Sequence, residues 1–228
     1  MKDLIRIGCP SKGRLRKFVL NIFKKHNLKL ISKRGDRDLF GSIEGKKDIQ
    51  IIYSHAREII SRLADKSLDA GFSGYDLLKE SEINSQNKIK VFKKYPYGKA
   101  TLVVAVPEDF IDIFSMADLE EVEFEFKEKK KKRLRVATKY VNLTREFFYS
   151  KGVTQFSIVK SIGSTEIAPY TGSSEIVTDI TSTGSTLAAN SLRILSDGYI
   201  LKSELCMMVG KSSLHNKRLM KLLKLLSK

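Results

Sequence analysis

Apolar residues fall in short blocks whose spacing switches between two periods along the chain. Residues 4–9, apolar apart from Arg6 and Gly8, form one compact block ending at Pro10 and Gly13, after which Leu15, Phe18, Val19, Ile22 and Phe23 recur at helical intervals. The pattern predicts a strand, a loop and a helix. Residues 49–53 predict a second strand, 59–66 a helix and 68–72 a short strand, and Gly74 with Asp76 opens another helix through Leu77, Leu78 and Glu80. Alternation of this kind predicts a parallel α/β sheet.

After a polar stretch at 81–90, residues 100–106 form an apolar run, broken only by Thr101, between Gly98 and Pro107, the pattern of a strand buried on both faces. A second domain is expected to begin here. Its predicted elements are a strand at 134–137, a helix at 143–150, strands at 157–159 and 176–180, and helical spacing at 186–192. A strand at 204–209 and a helix at 214–226 follow. If the last elements return to the first domain, the chain makes two lobes, each a mainly parallel sheet flanked by helices, with a cleft between them. The expected division is 1–95 plus 188–228 against 96–187.

Composition narrows the class. A chain of 228 residues with 42% apolar content can bury a substantial core. No run has the apolar length that spans a bilayer, and Met1-Lys2-Asp3 leads into no apolar signal region, so a cytoplasmic protein without membrane association is expected. Cys9 and Cys206 lie far apart in apolar surroundings and fit no metal-ligand spacing; they read as reduced, buried thiols. The formal charge of +16 suits nucleic acid, an anionic surface or phosphorylated small molecules. Seven of the nine residues 127–135 are basic, and Asp118, Glu120, Glu121, Glu123 and Glu125 precede them. Such adjoining blocks read as a solvated connection or an exposed strand pair.

The most informative stretch joins a strand ending in Asp179 to a helix through Thr181, Ser182, Thr183, Gly184, Ser185 and Thr186. Five hydroxyls in six residues exceed what an ordinary capped turn needs. Glycine lets backbone approach a ligand, the first turn of a helix leaves amides unpaired, and small hydroxyls add donors without bulk. The aspartate can accept hydrogen bonds from ribose hydroxyls while the loop holds a 5′-phosphate, so the segment reads as a ribose-phosphate cradle.

Gly163-Ser164-Thr165-Glu166-Ile167-Ala168-Pro169, followed by residues 179–190, resembles the Gly-Ser-x-Glu-x-Ala-Pro and Asp-x-x-x-Thr-Gly-x-Thr-Leu-x-x-Asn motifs of the ATP phosphoribosyltransferase family. The resemblance extends to Lys12-Gly13-Arg14-Leu15, to residues 69–76, and to Tyr97-Gly98-Lys99-Ala100 leading to Ala105-Val106-Pro107. Departures are Glu175 where the family has aspartate, Ser191 where it has glycine, and Glu58-Ile59-Ile60 in place of Asp-Ile-Pro. The basic position just ahead of that segment corresponds to His55 or to Arg57.

The resemblance implies a two-lobed fold of the periplasmic-binding-protein-like type and transfer of a phosphoribosyl group from phosphoribosyl pyrophosphate to N1 of ATP, opening histidine biosynthesis. It implies that Asp179 holds the ribose hydroxyls, that 181–186 holds the 5′-phosphate, and that Glu166 lines the same cleft. Lys12, Arg14, Arg34 and Arg57 are the cations expected to face pyrophosphate or the triphosphate, each with an ordinary surface role as its alternative. Asp69 and Asp76 read as capping or turn residues. Magnesium is the implied cofactor, carried by substrate phosphates instead of a protein cage. Short-form members of the family end at the last helix here, so a homodimer is expected that is insensitive to histidine alone and takes its regulation from a subunit resembling histidyl-tRNA synthetase. Two rivals remain: a non-catalytic two-lobed module binding a phosphorylated metabolite, since fold does not fix function, and a nucleic-acid binder. The basic run lacks the interleaved aromatics of the second, so no nucleic-acid partner is expected.

Overall fold

The computed structural model describes residues 4–32 and 38–228. In chain order the first elements are β1 (Ile5–Pro10), α1 (Arg14–Lys25), β2 (Leu30–Ile31), β3 (Phe40–Ile43), β4 (Lys46–Ser54), α2 (Ala56–Ala64), β5 (Ala70–Gly74), α3 (Tyr75–Glu80) and α4 (Ile83–Lys88). Then come β6 (Ile89–Pro107), α5 (Met116–Lys130), β7 (Leu134–Thr138), α6 (Val141–Ser150), β8 (Phe156–Lys160), β9 (Ile176–Thr181), α7 (Ser185–Ala189), β10 (Leu192–Gly210) and α8 (Lys217–Leu226). Two compact units result, Met1–Lys99 with Glu204–Lys228, and Ala100–Ser203. The expected division lay at 96 and 188; here it lies at 100 and 204, within β6 and β10.

In the first unit the strand order is β2-β3-β4-β1-β5-β10. β4 and β5 both run parallel to β1, pairing Ile7 with Ile51 and with Ala70. β3 is antiparallel to β4 and β10 antiparallel to β5. Successive strand residues serve opposite faces. Ile51, Leu205, Met207 and Val209 pack with Phe23 of α1 and Leu219 and Leu223 of α8, whereas Ile52, Cys206 and Met208 pack with Ile59, Ile60 and Leu63 of α2. Burial on both faces is why these strands read as nearly continuous apolar runs.

The second unit has β9 between antiparallel β6 and parallel β7, with β8 parallel beyond β7. The same alternation holds. Val104 and Val106 join Leu119, Leu134, Val136 and Phe148 on one face, and Val103 and Ala105 join Val177, Leu187 and Leu192 on the other.

Three expectations are corrected. The acidic block and the start of the basic block are not a solvated connection or strand pair: they form α5, whose Met116 and Leu119 are buried at helical spacing and whose start is a capping box, Ser115 Oγ accepting from the Asp118 amide, while Lys131, Lys132 and Arg133 beyond it are an exposed connection to β7. The helix's remaining Glu and Lys residues are good helix formers that keep the outer face polar. Buried Glu123 accepts from the Thr154 and Gln155 amides at 2.8 and 2.6 Å, tying the helix to the loop before β8. The polar stretch at 81–90 contains α4 and the start of β6, and the predicted strand at 204–209 is the last part of β10. Tertiary pairing supplies what local apolarity does not. Both cysteines are buried free thiols; burial pushes the Cys206 thiol up to about 12 and raises Cys9 further, which removes their thiolate chemistry at neutral pH. Among the described residues no helix is long and apolar enough to cross a membrane.

Candidate active site

In the second unit, Asp179 sits two residues before the end of β9, where Val103 lies opposite it across the antiparallel pairing with β6. Its Oδ1 accepts the Ile180 amide at 2.8 Å. The side chain is half-buried, and burial pushes its carboxyl above the ordinary aspartate range. The charge of Glu166 pushes the same way, while the Ile180 amide and the charge of Lys139 oppose the shift. Glu166 lies on the short 3-10 turn Thr165–Ile167, half-buried.

Beyond Asp179 the chain holds its own shape. Thr181 Oγ1 accepts the Gly184 amide at 2.8 Å, and the hydroxyls of Thr183 and Ser185 bond to each other at 2.9 Å. Gly184 has φ 78°, a left-handed conformation that admits glycine at little cost and that turns the chain into α7. Asn190 Nδ2 donates to the Thr186 carbonyl at 2.8 Å, closing the far end of that short helix. Ser182, Thr183, Ser185 and Thr186 remain exposed, so the loop presents hydroxyls to solvent beside a carboxylate whose charge is already disfavoured. That arrangement can receive a phosphate and accept from vicinal hydroxyls.

In the first unit the candidate cations share one pole. β1, β4 and β5 are parallel and each runs directly into a helix, so their carboxyl ends open at the same edge, the usual ligand edge of an α/β sheet. Lys12 and Arg14 follow β1. Gly13 between them has φ 80° and ψ −174°, a region essentially closed to residues with a Cβ. Arg57 stands in the first turn of α2, where its amide donates to Nδ1 of the capping His55 at 3.3 Å. His55 is therefore occupied in capping α2, with Arg57 exposed next to it. Arg34 lies outside the described residues. The cations belong to one unit, the carboxylates and hydroxyl loop to the other.

Asp69 and Asp76 differ. Asp69 is structural: Oδ2 accepts the Arg6 amide at 2.8 Å and Oδ1 the Ser213 hydroxyl at 2.7 Å. Asp76 is buried in the first turn of α3, whose N-cap is Gly74.

Two residues were missed in the sequence. Lys139 follows β7 and comes beside Asp179 because Thr138 is paired with Thr178; a parallel register of this kind joins positions forty residues apart and leaves no local signal. Arg16 places its guanidinium carbon 5.7 Å from the centre of the Tyr53 ring, on the pole of the first unit. Its helical spacing marks it only as a half-buried position.

No group of three metal-ligating side chains is assembled among the described residues. Asp179 and Glu166 give two carboxylates, a donor set that suits a cation brought with phosphate oxygens better than an all-protein cage.

The family model described as HisG: ATP phosphoribosyltransferase matches residues 55–228. An ATP phosphoribosyltransferase of Nitrobacter winogradskyi is 43% identical over 204 residues, which are 90% of this chain and 63% of that protein; the chain thus spans less than two thirds of that relative. The ATP phosphoribosyl transferase (HisG:HisZ) complex from Thermotoga maritima matches with a TM-score of 0.76 at 26% identity, over 98% of this chain and 96% of that one. A mutant of the protein ArgBP from T. maritima matches with a TM-score of 0.53 at 15% identity, over 98% and 86% respectively, a likeness of fold alone.

Proposed function

Because the chain belongs to the ATP phosphoribosyltransferase family, we propose that it transfers the phosphoribosyl group of phosphoribosyl pyrophosphate to N1 of the adenine of ATP, releasing pyrophosphate, as the first step of histidine biosynthesis. The observation that carries this reading is the half-buried carboxyl of Asp179 placed directly before the self-braced hydroxyl loop 181–186.

In this reading the loop takes the 5′-phosphate, and Asp179 accepts from the ribose hydroxyls. Those donors stabilise the carboxylate whose charge burial disfavours, so substrate binding relieves a cost built into the fold. The adenine N1 lone pair forms the new bond to the anomeric carbon while the bond to pyrophosphate breaks and its electron pair leaves with pyrophosphate. N1 of neutral adenine carries no proton to remove, so no strong general base is needed. Lys12, Arg14 and Arg57 answer the charge that grows on the leaving group, the interaction that strengthens towards the transition state. Magnesium brought in with the substrate phosphates, next to the carboxylates of Asp179 and Glu166, would supply further charge neutralisation. Lys139 lies beside Asp179, where its positive charge favours the carboxylate.

A self-paired chain that also takes a regulatory subunit of the HisZ, histidyl-tRNA-synthetase-like kind completes the proposal; the support is the likeness to the T. maritima structure, a HisG:HisZ complex. The site of action is the cytoplasm. The test is pyrophosphate release by the purified chain with magnesium and such a subunit. Release is expected only when both ATP and phosphoribosyl pyrophosphate are supplied, and release with either alone overturns the reading. Binding without release leaves a non-catalytic module.

A further inference from the structure

In the second unit β7 lies between β8 and β9 and runs parallel to both, so the carboxyl ends of these strands share one edge. Lys139 is the first residue past β7 on that edge, half-buried, and Thr138 before it is paired with Thr178, one position short of Asp179. Its place is braced. The buried Thr138 hydroxyl oxygen accepts the Tyr140 amide at 2.9 Å and the Thr144 hydroxyl at 3.3 Å, and the Thr138 carbonyl accepts the Ser161 amide at 2.9 Å. Ser161 Oγ in turn accepts from Thr165 Oγ1 at 3.1 Å, one residue before Glu166. The position of Lys139 is therefore fixed relative to both carboxylates, and its charge reaches Asp179.

The hydroxyl loop leaves the same edge towards the opposite side. Thr181 still pairs with Thr101 of β6, whereas the pairing of β9 with β7 ends at Thr178, and a Cβ on Gly184 would lie 3.7 Å from Ile194 of β10, the strand beyond β6. A line along the edge thus passes from the loop, through Asp179, to Lys139. A ribose ring carries its 5′-phosphate arm and its C1 substituent at opposite ends, with the C2 and C3 hydroxyls between them. With the 5′-phosphate on the loop and the hydroxyls on Asp179, the C1 substituent falls on the Lys139 side.

We propose that Lys139 is a catalytic residue whose ammonium binds the pyrophosphate group at C1 of phosphoribosyl pyrophosphate. The proposal rests on the phosphoribosyl reading of the Asp179 site and adds a pyrophosphate contact within the unit that holds the ribose. As the bond from C1 to the pyrophosphate oxygen breaks, its electron pair goes to pyrophosphate; the ammonium keeps its protons and donates a hydrogen bond to the charge that grows there. Before substrate arrives, the same charge favours the Asp179 carboxylate. The neutral hydroxyls of the loop gain less than an ammonium from the growing charge, so the cradle holds the sugar while Lys139 answers the leaving group.

The experiment compares two ligands by calorimetry on the full chain in magnesium buffer: phosphoribosyl pyrophosphate, and ribose 5-phosphate, which fills the cradle without a pyrophosphate. Lys139→Met is expected to lower affinity for phosphoribosyl pyrophosphate about tenfold or more beyond its effect on ribose 5-phosphate, the scale of a hydrogen bond to a charged group. Any effect that passes through the Asp179 charge falls on both ligands alike, because both present the same hydroxyls. Lys160→Met removes an exposed charge at the end of β8 on the same edge, and is expected to shift the two affinities equally to within about twofold. Pyrophosphate release gives the second readout, with kcat of Lys139→Met expected to fall on the order of a hundredfold. Circular dichroism checks the fold, and Lys139→Gln repeats the test with a polar side chain. Equal losses for the two ligands in Lys139→Met, the same selective loss in Lys160→Met, or an unchanged kcat overturns the contact while leaving the cradle in place. A wild-type chain that binds neither ligand overturns the phosphoribosyl reading, and this contact with it.

Discussion

The amide of Ser11 donates to the carbonyl of Ser54 across 2.9 Å, extending the β1 and β4 pairing one residue past Pro10 and Ser54. The loop with Lys12 and Arg14 and the turn with His55 and Arg57 therefore leave the sheet side by side. Two segments more than forty positions apart become one cationic edge.

Arg14→Ala and Arg57→Ala are each expected to reduce kcat on the order of a hundredfold with a smaller change in KM, as for loss of one donor to charge that develops in the transition state. His55→Ala should instead act on stability, by about 1 kcal/mol, since its Nδ1 caps α2. Steady-state kinetics and thermal unfolding of the three variants give the comparison; an Arg14 or Arg57 variant with unchanged kcat returns that side chain to the ordinary surface.

Asp179→Asn is expected to weaken phosphoribosyl pyrophosphate binding by about 1–3 kcal/mol, the range for a hydrogen bond to a charged group, as read by calorimetry. It should also stabilise the unliganded fold. Because burial raises the carboxyl above its unfolded value, the protonated form is favoured in the fold; that contribution is full in acid and lost as pH rises through the raised value. The variant should melt higher than wild type at neutral pH, and the difference should close as pH falls below the ordinary aspartate range.

Lys139→Met removes a positive charge that holds the Asp179 carboxyl down, so that carboxyl should titrate higher still in the variant. Carbon-detected NMR of the aspartate side chains follows it directly. An unmoved Asp179 titration removes Lys139 from the surroundings that set the Asp179 charge.

Glu175 behaves oppositely to Asp179. Burial pulls its carboxyl up, yet the hydrogen bonds from the Arg135 side chain and amide, with the Arg135 charge, outweigh burial and hold it below the usual range. Its contribution to stability is thus present above the unfolded value and lost as pH falls through the lowered one. Glu175→Gln should melt lower than wild type at neutral pH, with the two curves converging in acid.

Tyr95 donates its hydroxyl to the Leu226 carbonyl at 2.9 Å, joining β6 to the end of α8. Tyr95→Phe leaves that carbonyl without its buried donor and should cost about 1 kcal/mol in chemical denaturation. An unchanged midpoint means that another donor replaces it.

Periodicity alone set much of this protein. The alternation of strand and helix in the first hundred residues, the doubly buried strand at 103–106 and the amphipathic α8 follow from where apolar residues fall, because burial at those periods is their main source of stability. The hydroxyl loop was legible too, since a cradle of that kind is contiguous and its chemistry lies in local residue types. Segments whose order comes from partners were not legible: the Lys-rich start of β6 is a strand through its place in the sheet, and α5, with its polar majority, through a capping box and one buried stripe. Nor could the sequence join Lys139 to Asp179 or Ser11 to Ser54. Those neighbours exist because parallel strands share a register, and a register is decided by the packing of whole sheet faces, which no local stretch of chain contains.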